Sequence, residues 1–274
     1  MKSKELYPRV FSRHAAAYKQ RLDDVMGRGE PRGRLRMIEL AAVSPGMRVL
    51  DLACGPGTMT RLLADQVTPG GRVFGVDLAR GMLDLAAADP PPGCWFAVMD
   101  MERLGFGDST FDAVVCGHGL QFAPDLGLAL SESARVLKSR GVLAASVPAS
   151  GRDDSLWTVV DGVADRHLPP APRAIDDHAT RSTVSDQRAF REAAINAGFE
   201  SAIVESVVEE VIWPSAEAFV SAFMSWWQCA SRVEVLDSQS RAEFFDEAVE
   251  ALLKEHDGPI TNHGRNLVLL ARRS

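Results

Sequence analysis

The stretch Val49-Leu50-Asp51-Leu52-Ala53-Cys54-Gly55-Pro56-Gly57-Thr58 reads as a buried strand that ends in a glycine turn and runs straight into a helix. Glycines are required at such a turn when something must approach the backbone closely, or when the chain needs a positive φ. In α/β proteins this turn, at the carboxyl end of the first strand, is where nucleotide-like cofactors lie. The segment therefore predicts a cofactor, and its surroundings decide which one.

Outward from that turn the pattern alternates. Apolar runs at Arg48–Leu52, Arg72–Val76, Trp95–Val98, Phe111–Cys116 and Gly141–Val147 predict strands. Between them, helical patterns run from Thr58 to Gln66, through Met82, Leu83, Leu85 and Ala86, and from about Leu126 to Leu137. Strand-helix alternation implies a parallel sheet with helices on both faces, and the right-handed crossover rule fixes most of its topology. Two further strands are expected at Glu200–Ile212 and Asn266–Leu270. The expected fold is α/β: a doubly wound, mostly parallel sheet of seven strands. Its expected parts are an N-terminal helical lid (1–45), a cofactor-binding core (46–150) and a lid segment (151–185). Residues 186–274 then complete the core, with a helical cap inserted at about 214–258. In that last part Ser185 is expected to cap a helix that Gly198 ends, Pro214 to open a helix reaching about Ala230, and Arg241–Lys254 to form another.

Bulk properties narrow the function. The 274 residues carry a net charge of −7, with 46% apolar and 24% charged residues, as in ordinary globular proteins. The basic residues are scattered rather than striped, so nucleic acid is not an expected partner. No apolar run is long enough to span a bilayer, and the N-terminus lacks a secretory apolar stretch. The four cysteines stand apart without a Cys-x-x-Cys pair, which fits buried thiols in a reducing cytoplasm. No His/Cys/Asp/Glu cluster has metal-ligand spacing, so no metal is expected.

An acid, Asp77, follows the second run, 20 residues after Gly57, where it can accept both hydroxyls of a ribose. That spacing serves a nicotinamide dinucleotide and S-adenosylmethionine equally. Two details favour the latter. Asp51 precedes the glycines where a dinucleotide fingerprint has an apolar residue, and Thr60 replaces the third glycine.

With Met82, Met99-Asp100-Met101 and the segment Phe106–Asp125, these residues resemble the class I S-adenosylmethionine-dependent methyltransferases. The likeness is to their small-molecule branch of the ubiquinone/menaquinone-biosynthesis type, over roughly residues 45–148. The resemblance implies a Rossmann-like core and S-adenosylmethionine as cofactor. It implies that Asp51, Ala53, Gly55 and Gly57 seat the methionine zwitterion, with the carboxylate near its ammonium and helix N–H groups near its carboxylate. It places the ribose on Asp77 and Leu78 and the adenine against Met82, Asp100 and Met101. Gly117 then lies beside the methyl, with Tyr18 in a closing lid. The chain departs from the pattern at Leu137-Lys138-Ser139-Arg140-Gly141, where the family has Leu-Lys-Pro-Gly-Gly.

The acceptor is less legible. In-line methyl transfer needs positioning, and a base only if the acceptor sheds a proton. His118 is the candidate base because histidine titrates near neutrality. His14, Gln121, Phe122 and Trp226 are candidate substrate contacts. The expected activity is methyl transfer to a small, partly apolar metabolite, in specialised, natural-product metabolism, and a homodimer is a candidate assembly. Three alternatives stay open: a non-methylating reaction such as cyclisation on the same fold, an NAD(P)-dependent dehydrogenase, and a scaffold without cofactor.

Overall fold

The computed structural model describes residues 1–149, 155–256 and 258–274. Residues 150–154 and 257, parts of the expected core edge, lid segment and cap insertion, lie outside the described residues. Helices α1 (Ser3–Arg13), α2 (Ala15–Gly27) and α3 (Arg32–Ala41) come first. Then β1 (Arg48–Leu52), α4 (Thr58–Val67), β2 (Arg72–Asp77), α5 (Arg80–Ala88), β3 (Cys94–Val98), β4 (Phe111–Gly117), α6 (Leu126–Val136) and β5 (Leu137–Pro148) follow. After them come α7 (Ser155–His167), α8 (His178–Ser185), α9 (Gln187–Asn196) and β6 (Ser201–Trp213), and last α10 (Ala216–Met224), α11 (Trp227–Val233), α12 (Ser238–Leu253) and β7 (Ile260–Arg272).

The strand order is β3-β2-β1-β4-β5-β7-β6, seven strands among the described residues. Strands β1 to β5 are mutually parallel, and β7 lies antiparallel between β5 and β6. The order reverses between β1 and β4, so a crevice opens at the carboxyl ends of these two strands, beside the glycine turn. The central strands are continuous apolar runs because helices cover both faces. One face packs Phe111, Leu130, Leu137, Phe190 and Leu269, and the other packs Met37, Met59, Leu63, Val67 and Val268.

β7 pairs with β5 only as far as Asn266, but with β6 as far as Ile260. Residues 260–265 and 208–213 therefore form a two-stranded ribbon standing beyond the carboxyl edge of the sheet, above the crevice. The strand expected from Asn266 thus begins at Ile260. Its first half is polar on both faces, which hides it from an apolar-pattern reading.

Two other expectations are corrected. The helix after Pro214 is broken: α10 ends at Met224, and Trp226 has extended backbone (φ −68°, ψ 139°) before α11 starts. Adjacent positions on one helix point about 100° apart, and the break lets Trp226 and Trp227 both face the crevice. The helix expected from Ser185 is capped one residue later by Asp186, which accepts from the Ala189 N–H at 2.7 Å, because Ser185 closes α8. Helix α7 and helices α10–α12 share a separate core of Leu156, Trp157, Phe219, Phe223, Phe244 and Leu252. Phe219 and Phe223 are thus cap interior.

Helix α1 lies across α5 at Gly81, whose N–H donates to Ser12 Oγ at 3.1 Å. A Cβ on Gly81 would stand 2.5 Å from the Ser12 carbonyl oxygen, whereas one on Gly162 in α7 would meet nothing within 4 Å. Two helical glycines are therefore expected to respond with opposite signs. Gly81→Ala should lower stability by about 1–3 kcal/mol by levering α1 off α5, and Gly162→Ala should raise it by about 0.5–1 kcal/mol. Thermal unfolding of the two variants beside the parent measures both.

Candidate functional site

The crevice holds two cavities. The first is lined by Ala53, Gly55, Asp77, Leu78, Met82 and Asp100, among others, at the ends of β1 to β3, with α1 above them. Its floor is the glycine turn, where Ala53, Gly55 and Gly57 all have positive φ (55°, 55° and 82°). The two glycines have different reasons. A Cβ on Gly55 would meet nothing within 4 Å and would enter the cavity; one on Gly57 would stand 3.1 Å from Ala86 Cβ and 3.3 Å from Phe96 Cζ. Gly55 leaves a cradle for a ligand, and Gly57 lets α5 and β3 close up behind the turn. Helix α4 starts without a side-chain cap, so its first N–H groups remain available.

Asp77 accepts from the Gly55 N–H at 2.9 Å and the Ala79 N–H at 2.7 Å. These bonds fix the carboxylate at the cavity wall and leave lone pairs for further donors. Burial pushes its pKa up, and the backbone N–H groups oppose that shift. Asp51 lies behind the turn rather than in the wall, 1% exposed, and accepts from Thr60 Oγ1 at 2.6 Å. Burial, reinforced by the Asp77 charge and opposed by Thr60, pushes its carboxyl up to about 7. The threonine that replaces the third glycine thus holds this acid.

At the far end of the cavity Met82 is 2% exposed, and Asp100 and Met101 line the wall with it. Lys4 of α1 bridges Asp100 and Glu102, 2.6 Å from each carboxylate. Farther along α1, Tyr7 donates its hydroxyl to Asp177 and accepts from Arg181 at 3.0 Å. Burial and the bond to Asp177 push the phenol up to about 12, against the opposing Arg181 cation. Lys4, Tyr7 and Arg181 were not singled out as polar anchors by the sequence; their partners lie too far along the chain for spacing to connect them.

The second cavity, of about 260 Å³, lies between α2, α3, the β6/β7 ribbon and the start of α11. Phe11, Tyr18, His118 and Phe122 line both cavities and form the partition between them. Phe11 meets Tyr18 and Phe122 edge-on, at 5.8 and 5.3 Å between ring centres. Gly117 reaches only the first cavity, and Gln121 and Trp226 only the second. His14 reaches neither; its Nε2 stands 3.3 Å from Glu234 Oε2.

His118 has a positive φ of 62° and donates its N–H to the Ser146 carbonyl at 2.8 Å. Burial, with the nearby Arg34 cation, holds its imidazole well below the usual histidine range, against an opposing bond with Asn266. Its Nε2 is buried without a hydrogen-bond partner. Gln121 donates to the His118 carbonyl at 2.8 Å, and its own Oε1 is buried and unpartnered. Two buried polar atoms at the edge of the second cavity, His118 Nε2 and Gln121 Oε1, thus have no hydrogen-bond partner among the described residues.

Residues 50–145 match a family model described as a methyltransferase domain. They are a class I S-adenosylmethionine-dependent methyltransferase domain. The chain is 36% identical, over 135 residues, to a 2-phytyl-1,4-naphtoquinone methyltransferase of Trichormus variabilis, the match covering 47% of this chain and 58% of that protein. A demethylmenaquinone methyltransferase of Lactobacillus johnsonii is 36% identical over 138 residues, 48% of this chain and 56% of that protein. The chain therefore spans a little over half the length of the curated relatives it matches.

Solved structures share the fold. Phosphoethanolamine N-methyltransferase 2 of Haemonchus contortus in complex with S-adenosyl-L-methionine superposes with a TM-score of 0.54 at 19% identity, covering 89% of this chain and 52% of that one. The [4+2]-cyclase SpnF gives 0.52 at 19% identity, over 88% and 80%. The cofactor of the methyltransferase domain is S-adenosylmethionine, which sets aside the nicotinamide dinucleotide that the Asp77 spacing alone allowed. The residues of the first cavity fit it: Gly55 would leave room for backbone contact, the carboxylate of Asp77 is fixed where it could meet a ribose, and Met82 would present an apolar surface to an adenine. Among the described residues no group of three or more His, Cys, Asp or Glu could hold a metal ion, all four cysteines are free and buried, and no helix is long and apolar enough to cross a membrane.

The buried acid makes a pH prediction. Asp51 is protonated in both states below about pH 4. Between there and about pH 7 the folded chain keeps a proton that the unfolded chain releases, so stability from this group is lost as pH rises through that window. Each pKa unit is worth about 1.4 kcal/mol. Asp51→Asn should flatten this decline and raise the unfolding midpoint of the cofactor-free protein at pH 8, while weakening S-adenosylhomocysteine binding by about tenfold or more. Thermal unfolding from pH 4 to 8, with calorimetric titration, checks both; a decline unchanged in the variant refutes the assignment.

Proposed function

We propose that the chain moves a methyl group from S-adenosylmethionine to a small, partly apolar aromatic acceptor held in the second cavity. The partition carries this reading. Phe11, Tyr18, His118 and Phe122 face both cavities, so the cavities adjoin at these four residues, and an acceptor can reach the methyl where they meet. The sulfonium supplies an electrophilic methyl when bound. The chain's own contribution is placement: aromatic walls fix the acceptor in line, and α1, fastened by Lys4 and Tyr7, excludes water.

The curated relatives are named for naphthoquinone and menaquinone acceptors. A flat ring of that class suits a cavity walled by Phe122, Trp213, Trp226 and Trp227. His118 is the base in this reading. Burial and the Arg34 cation hold its imidazole well below the usual histidine range, and its Nε2 has no hydrogen-bond partner among the described residues. With the methyl supplied by the bound sulfonium, His118 would take the proton that the acceptor atom sheds on methylation. A cap built from helices outside the core, with its own hydrophobic centre, fits an acceptor of specialised metabolism.

The likeness to the cyclase SpnF supports a second reading, in which the same two cavities run a cyclisation without methyl loss. Release of S-adenosylhomocysteine in equal amount with product supports methyl transfer; turnover without it supports the second reading. His118→Gln should lower kcat by about 10²–10⁴-fold with S-adenosylhomocysteine affinity kept. Because the imidazole is held below the usual histidine range, the parent's kcat/KM should stay level from about pH 6.5 to 8 and fall only under more acid conditions as the base protonates. The variant should lose that acid limb. A pH profile that the substitution leaves unchanged removes His118 from the mechanism.

A further inference from the structure

The second cavity collects positive charge in a chain whose net charge is −7. Its wall carries Arg21, Arg34, Arg181 and Arg265 against one carboxylate, Glu209. Glu209 Oε1 is already engaged, accepting from the Gly33 N–H at 2.8 Å. Arg181 is paired with Asp177 at 2.5 Å, and Arg265 is exposed at the rim. Of the histidines, His263 stands 3.8 Å from Glu210, and His118 is held neutral in the partition.

Arg21 and Arg34 have no such partner. Among the described residues neither lies within ion-pair distance of a carboxylate. Arg21 donates only to Ser225 Oγ, at 3.4 Å, and its guanidinium stacks over Trp226 at 4.3 Å and Tyr18 at 5.2 Å. Burial, offset in part by Tyr18 and reinforced by the Arg34 charge, lowers it to about 10, which leaves it cationic at neutral pH. Arg34 projects from α3 to the end of β4: a Cβ on Gly117 would stand 3.7 Å from Arg34 Nε. Two like charges that repel each other in a half-buried pocket are costly without a counter-ion. A guanidinium presents a planar fork of donors that matches a carboxylate.

We infer that the acceptor is an anion: a flat aromatic or conjugated body that carries a carboxylate, its ring on Trp226 and Phe122 and its charge on Arg34 and Arg21. The proposal rests on the second cavity being the acceptor site, and it adds the group that orients the ring. With the carboxylate on Arg34, beside Gly117 and His118, the ring position next to the anion faces the partition. A neutral quinone offers these two cations carbonyl acceptors but no counter-charge.

The test needs no knowledge of the natural acceptor. Binding of 2-naphthoate and of its neutral isostere 2-naphthamide is measured by calorimetry, with and without saturating S-adenosylhomocysteine. The parent protein should bind the carboxylate about tenfold or more tighter than the amide. Arg34→Gln should bring the two ligands to within about twofold of each other, and Arg21→Gln should remove part of the preference. Equal binding of the two ligands by the parent, binding of neither, or a preference that survives in both variants overturns the proposal. The titration with S-adenosylhomocysteine alone keeps the donor reading separate: its failure would remove methyl transfer while the anion preference still stands or falls on the naphthoate comparison.

Discussion

The arrangement of the whole site depends on one close contact. The turn after β1 and the bend after β4 pack so tightly that a Cβ on Gly119 would lie 2.5 Å from Ala53 Cβ and 2.7 Å from Cys116 Sγ. The strand order reverses at this point, so these two carboxyl ends face a crevice that no crossover covers. Tight apposition brings the donor's floor, Ala53–Gly57, directly against His118, which is held at a positive φ by its bond to Ser146. Loosening this contact would separate the floor of one cavity from the partition of the next. Strained backbone of this kind persists only where its surroundings over-determine it.

The electrostatics follow from the same geometry. Packing the turn against neighbouring strands buries Asp51 and encloses Asp77, and burial raises both acids. Two acids set so close cost stability without a cation nearby, and a ligand with an ammonium group offers one. On the other side of the partition the imbalance is reversed, with no carboxylate paired to Arg21 or Arg34 among the described residues. The protein therefore sets two buried acids at the first cavity and two unpaired cations at the second, and the proposed donor and acceptor sites adjoin at His118. Polar groups left unmatched by the fold are where function departs from local consistency.

Much of the core was legible because its strands are buried on both faces and read as plain apolar runs between glycine and proline breaks. Ala53, Gly55, Asp77, Leu78, Met82, Asp100, Met101, Gly117 and Tyr18 come together in one cavity. Asp51 and Gly57 stand behind it, a distinction that sequence cannot draw, since an open glycine and a packed glycine both supply positive φ. His14 sits at the joint between α1 and α2, where its ring turns to Glu234 and lines neither cavity, a placement that spacing along the chain does not show. Arg21 and Arg34 went unseen because arginines on mixed-charge helices read as solvated. Only the placement of α2 and α3 turns them inward. Asn266, polar and 2% exposed among the apolar residues of β7, was the available sign that this strand also reaches the site.

In the proposed function, donor and acceptor occupy separate cavities joined at His118. A structure determined with S-adenosylhomocysteine tests it most directly. The account predicts the ribose on Asp77, the adenine against Met82, and the sulfur turned to the partition of Phe11, Tyr18, His118 and Phe122. A ligand lying among Arg21, Arg34 and Trp226, or one whose sulfur faces away from His118, would contradict it.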